Sequence, residues 1–327
     1  MGRLKSLGDF PNRGLVLVLA AAALGFSSLS PSFRTGGNFE NILVGFSHMG
    51  ILAVGQAFPI LLGGVDLSVG SILALSGMIG FDLFLVFQLP GMVVIPVMLA
   101  AATAAGAING LLIVFARLQP FIATLATMAA YRGLTYAISG RQIYPELATS
   151  AIHDRLLLGL DESIGRFPFA FVFLVVVCAA AQFALSLTKF GRDVYTVGGN
   201  LEAARLSGVD VSRIFVAAYA TSGFCSGLAA VLLVSRMTTS QENLGIGIEL
   251  SAIAAAIVGG VSMQGGVGDA VGPVIGAFLM GVILIGLNLI GVTTYAQPVL
   301  TGLILLGAVA YDRRKVSLGT RQGEVEA

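Results

Sequence analysis

Ten apolar runs follow one another through this sequence, at residues 14–30, 42–62, 69–87, 91–116, 119–138, 167–187, 214–235, 246–262, 270–291 and 296–311. A bilayer core about 30 Å thick is crossed by about 20 helical residues. Lipid offers no partner to an open backbone, which confines such a chain to helices or a closed barrel. Continuous apolar stretches, as opposed to alternating ones of about ten residues, select helices. Only 11% of residues are charged, against about 25% in soluble domains. The fold class is therefore all-α: a polytopic transmembrane helical bundle of about ten spans, residues 1–327 forming a single domain. The gap at 63–68 is short enough to be a break within one re-entrant element.

Glycine makes up 43 of 327 residues, and small residues let helix backbones approach closely in lipid. Many tightly packed spans are expected. Cys178 and Cys225 lie inside apolar runs and read as packing residues. The first run follows a basic start (Arg3, Lys5, Arg13) but lacks a small-x-small cleavage site, so it reads as a span and not a leader.

Cations orient the chain, because cytoplasmic loops carry the excess of Lys and Arg. With both termini inside, twelve cations fall on the cytoplasmic side, among them Arg117, Lys189, Arg192, Arg205 and Arg213. Arg34, Arg141, Arg155, Arg166 and Arg236 fall outside, and Arg132 lies within the fifth run. This predicts a multi-pass inner-membrane protein with cytoplasmic termini, a cytoplasmic loop at 188–213 and a periplasmic loop at 139–166. The periplasmic loop mixes charges, as a surface for a soluble partner or a plain solvated loop would.

Two glycine-rich breaks stand out. GGVDLSVGS (63–71) places Gly63, Gly64, Asp66 and Ser68 between two runs, and a second break starts at Gly259 and Gly260 and runs to Pro273. Glycine lets the backbone leave helical geometry, and Asp66 and Ser68 can cap the helix that follows. Breaks at membrane depth are tolerated where they are buried in protein or line a cavity, and paired interrupted segments point to a transport site. Within 188–213, Asn200 is an N-cap, Glu202 suits a helix start, and Gly208 suits a C-terminal cap. A helix of about two turns between them would be marginal alone. A partner's groove, or this protein's own helix ends, must hold it.

Polar residues inside spans are functional candidates because lipid penalises them. His48, Gln56, Asn109 and Asn288 are singled out as a substrate pathway, with interhelical hydrogen bonding as the plainer alternative. His48, Asp82 and Arg132 are the ionisable residues read as lying well inside runs, too isolated for a proton-coupled chain. No phosphate loop, zincin or nucleophile-elbow motif occurs, so no enzyme activity, metal or cofactor is expected and ATP would be hydrolysed by another chain. A net charge of +1 gives no field that recruits nucleic acid.

The chain resembles the monosaccharide permease family of ATP-binding cassette importers, the group for ribose, xylose, arabinose and galactose. The likeness runs nearly end to end, through NFENIL and GILAVGQAFPILLGGVDLSVGS (38–71), NGLLIV with PFIATLATMAAYRG (109–133), FGRDVYTVGGNLEAARLSGV (190–209) and GIELSAIAAAIVGGVSMQGGVGDAVG (247–272). Glu202, Ala203, Ala204 and Gly208 fit the EAA-x-x-x-G spacing of the loop that docks on the ATPase, although its usual downstream I-x-L-P is absent. The resemblance implies two cytoplasmic ATP-binding subunits, a periplasmic sugar-binding protein and a second permease, identical or a sister chain. The alternatives are a branched-chain amino-acid permease of related architecture and a secondary carrier working without an ATPase.

Overall fold

A computed structural model describes residues 12–140, 154–165, 167–237, 243–293 and 295–325. Arg3, Lys5, Arg141, Glu146 and Arg166 lie outside them. The helices in chain order are α1 (Arg13–Leu29), α2 (Gly36–Leu61), α3 (Val69–Leu85), α4 (Gly91–Phe115), α5 (Pro120–Ser139), α6 (Arg155–Gly159), α7 (Phe169–Leu187), α8 (Lys189–Gly199), α9 (Leu201–Leu206), α10 (Val211–Met237), α11 (Ile248–Val258), α12 (Val271–Leu289) and α13 (Ala296–Val325). The β-structure among the described residues is one hairpin, with Ser163–Ile164 antiparallel to Phe167–Pro168.

Each apolar run carries one helix, but the helices are unequal. α2, α4, α7, α10 and α12 are long and apolar enough to cross a membrane, while α1, α3, α11 and the first part of α13 are shorter apolar helices. The run at 246–262, expected to be a full span, holds only eleven helical residues. At 1.5 Å per residue α11 is about 16 Å long, half a bilayer core. Glycines at both ends bound it: Gly247 has φ +82° and Gly260 φ +95°.

α10 forms the centre of the bundle, packed on α4, α2 and α3, while α2 also packs on α12, α7 and α11. The α4–α10 crossing is set by small residues at four-residue spacing on both helices, with Gly106 against Gly223, Gly110 against Val216 and Gly227 against Ala102. A Cβ at Gly106 would run into the Tyr219 carbonyl and stand 2.9 Å from Gly223 Cα, and one at Gly110 would lie 2.5 Å from Val216 Cα. Helices meeting backbone to backbone gain dispersion contact along their length, which drives association where lipid is as apolar as the side chains. Cys225 packs in the same way, its Cβ against Gly55 of α2.

The described part of the 139–166 loop is tied to the bundle. Asp154 accepts from the Leu157 amide (2.9 Å) and from the Gly91 amide at the start of α4 (2.8 Å). Asp161 stands 3.8 Å from Arg236 at the end of α10.

Candidate functional site

α2 ends at Leu61 with the Gly63 amide on the Ile60 carbonyl (2.9 Å) and the Gly64 amide on the Pro59 carbonyl (3.0 Å). Gly63 has φ +76°, the left-handed step that lets a helix terminate this way. The chain then runs non-helically to Ser68, the residue that precedes α3. α11 ends in the same manner, with Gly260 on Ile257 and Val261 on Ala256. The left-handed residue is the first glycine of the GGV in one break and the second in the other, so the two GGV motifs are not equivalent in register.

Asp66 is fully buried at the centre of the first break. Its Oδ1 accepts from the Ser68 amide (3.0 Å), the Ser68 hydroxyl (2.6 Å) and Asn109 Nδ2 of α4 (3.4 Å); its Oδ2 accepts from the Ser222 hydroxyl of α10 (2.9 Å). Asn109 Nδ2 also donates to the Ser68 hydroxyl at 2.7 Å. Gln56 of α2 donates to the Asp66 carbonyl and accepts from the Asp66 amide at 3.3 Å. Thr124 of α5 donates to the Val65 carbonyl at 3.3 Å. Asp66 is thus more than a cap, because four helices place donors or acceptors on the segment it anchors. A fully buried carboxylate requires this many partners.

Of the four candidates inside spans, the structure gathers Gln56 and Asn109 into this cluster. His48 lies eight residues from Gln56 on α2, roughly 12 Å along the axis; it is buried, and its Nε2 has no partner. Asn288 is exposed at the end of α12. Ser222, Thr124 and Tyr219 join the site without having been singled out from sequence; short polar residues in an apolar helix are too common to signal it. Among the described residues no group of His, Cys, Asp or Glu is arranged to hold a metal ion.

The second break is fastened from elsewhere. Asp312 of α13 accepts from the Ser262 hydroxyl (3.0 Å) and the Met263 amide (3.2 Å), and Asp269 caps α12 through the Gly272 amide (2.7 Å). Gly259 abuts the backbone of Gly272 and Pro273. A side chain at Gly64 would sit 2.5 Å from the Tyr219 hydroxyl and 3.0 Å from Pro120 Cβ, and Gly260 holds a left-handed backbone. Gly64→Val and Gly260→Val should each abolish transport, the first by collision and the second by backbone strain. Uptake in membranes carrying normal amounts of each variant is the check.

α9 is capped at both ends. Asn200 Oδ1 accepts from the Ala203 amide at 2.9 Å, and Gly208 turns the chain with φ +79°. Glu202 pairs with Arg205 at 2.8 Å on the exposed side. Ala203 is exposed, whereas Ala204 is fully buried against this protein's own helices. The outward face carries Leu206, 89% exposed, and Leu201. Beside it opens a cavity of about 660 Å³, lined by Arg117, Leu118, Leu201, Arg205, Val211 and Phe215 among others.

A helical membrane bundle with two glycine breaks, a buried polar centre and a capped helix outside its spans has the design of a transport permease. Residues 38–309 match the family described as "Branched-chain amino acid transport system / permease component", and the chain belongs to that family. It is 38% identical to the ribose import permease protein of Haemophilus influenzae over 94% of this chain and 93% of that protein. It is 37% identical to the D-allose transport system permease protein of Escherichia coli K12 (92% and 91%), and 36% identical to the L-arabinose transport system permease protein of that strain (92% and 90%). No solved structure matches the chain. The protein is a multi-pass inner-membrane permease subunit of an ATP-binding cassette importer, a transport component that works with ATP-binding subunits and a substrate-binding protein. A secondary carrier acting without an ATPase is set aside, while the family's description shows that the branched-chain reading shares this architecture.

Proposed function

We propose that this chain carries a monosaccharide. The observation that carries the reading is the set of sugar permeases to which it is similar along nearly its whole length. The site chemistry supports it: amides and hydroxyls converge at the bundle centre, groups suited to a neutral polyhydroxylated solute. A second permease copy, a periplasmic sugar-binding protein and two ATP-binding subunits complete the importer. Both termini and the α8–α9 segment face the cytoplasm, in keeping with the cation distribution. Liposomes holding the assembled importer should accumulate D-ribose, D-allose or L-arabinose in an ATP-dependent way. Accumulation of leucine instead would establish the branched-chain alternative.

The ATP-binding subunits grip the outward face of α9. Leu206 leaves an apolar side chain in water with nothing of its own chain over it, as a docking residue does. Ala204 supports this helix from beneath, so Ala204→Trp and Gly208→Val displace α9, while Glu202→Lys opposes the helix start by roughly 0.3 to 1 kcal/mol. Leu206→Asp alters only the exposed face. It should reduce co-purification of the ATP-binding subunits by about tenfold or more at unchanged permease levels. Undiminished co-purification and uptake in all four variants would place docking elsewhere.

A further inference from the structure

The face formed by α5 and the turn that starts α11 has properties that lipid does not permit. Ser222, which bonds Asp66, is the twelfth of the 27 residues of α10, so Asp66 sits near mid-depth of the bundle. Gly70 follows four residues later, and a Cβ there would collide with the Gly245 carbonyl and stand 2.5 Å from Glu249 Oε2. The turn at 243–247 is therefore also at mid-depth. Arg132, thirteenth of the twenty residues of α5, donates to the Leu244 carbonyl at 2.8 Å and lies within electrostatic reach of Glu249. Glu249 Oε1 accepts from the Gly247 amide at 3.2 Å. Yet this region is not buried: Ile246 is 62% exposed, Leu250 46% exposed, and Arg132 and Glu249 are half-buried. Non-helical backbone and two ionisable side chains at membrane depth persist only inside protein or against water.

We propose that Arg132, Glu249 and the 245–247 turn line the water-filled pathway and bind the hydroxyls of the passing sugar. A carboxylate and a guanidinium within electrostatic reach of each other offer acceptors and donors together, the pairing that vicinal hydroxyls require. This rests on the monosaccharide reading for the identity of the solute, but the aqueous character of the face does not.

The test uses the assembled importer in membranes, with Cys178→Ser and Cys225→Ala to remove the native thiols. Ile246→Cys should react with a hydrophilic, membrane-impermeant maleimide that has access to both sides, while Leu303→Cys, equally exposed on α13, should not. D-ribose, D-allose or L-arabinose, whichever the importer carries, should slow the reaction at Ile246→Cys. Glu249→Gln should lower the uptake rate at least about tenfold with ATP-binding subunits still associated. An unreactive Ile246→Cys means a second copy or lipid covers the face, and overturns the proposal. Reaction without sugar protection, together with undiminished uptake by Glu249→Gln, overturns the binding role. Uptake of none of the three sugars by the wild type would sink the monosaccharide reading alone, since the labelling contrast needs no substrate.

Discussion

Asp66→Ala should leave little folded permease in the membrane, and what remains should melt at a markedly lower temperature and carry no substrate. The carboxylate is the common acceptor for the Ser68 amide, the Ser68 and Ser222 hydroxyls and Asn109 Nδ2. Removing it strands these groups where no water competes for them, at about 1 to 3 kcal/mol for each that finds no new partner. The damage spreads because the partners sit on α4 and α10, the two helices locked by the glycine crossing. Asp66→Asn keeps one carbonyl oxygen for the Ser68 amide, and the Ser222 hydroxyl can turn to accept, so assembly and most of the uptake should survive. Thermal unfolding in nanodiscs and uptake in liposomes read the two effects separately. Normal assembly with complete loss of uptake in Asp66→Asn would show that the charge itself takes part in transport.

The contrast between Asp66 and Glu249 shows what the sequence could convey. Hydropathy located the ten helices that carry apolar runs, since such a run must be satisfied by its own backbone bonds whatever its neighbours are, but not α6 or α8, and α9 showed only through its caps. Asp66 and Gly63 were legible because a carboxylate and paired glycines between apolar runs have few other uses. Glu249 was not, because the 246–262 run put it at a span's end, where a carboxylate is cheap. Only the three-dimensional contact of Gly245 with Gly70 brings that end to mid-depth. Asn288, read as lying within a span, stands exposed at the end of α12. Ala204 fits the docking spacing yet faces inward, because spacing fixes which residues share a helix and not which side the bundle covers.

Gly198→Val should uncouple the importer, eliminating uptake while the ATP-binding subunits stay attached. Gly198, at the end of α8, touches both breaks at once: a Cβ there would collide with the Leu61 carbonyl and lie 2.7 Å from the Gly266 amide. Those two groups are hydrogen-bonded to each other at 2.9 Å. From the far side a Cβ at Gly265 would meet the Gly198 carbonyl at 2.7 Å and the Gly63 amide at 3.0 Å. Three glycine segments from separate parts of the chain thus meet backbone to backbone, and the Tyr195 hydroxyl adds a bond to the Gly268 carbonyl at 2.7 Å. Such a contact has no soft side chains to absorb a displacement. A shift of α8 and α9 must move Leu61 and Gly266, and through the five residues after Leu61 it reaches Asp66. Valine at 198 forces the segments apart without touching the outward face of α9. The measurement is ATP hydrolysis and uptake in the same liposomes: hydrolysis should continue while accumulation falls to background. Full uptake by Gly198→Val would mean that motion enters the bundle by another route, such as the junction of α9 with α10.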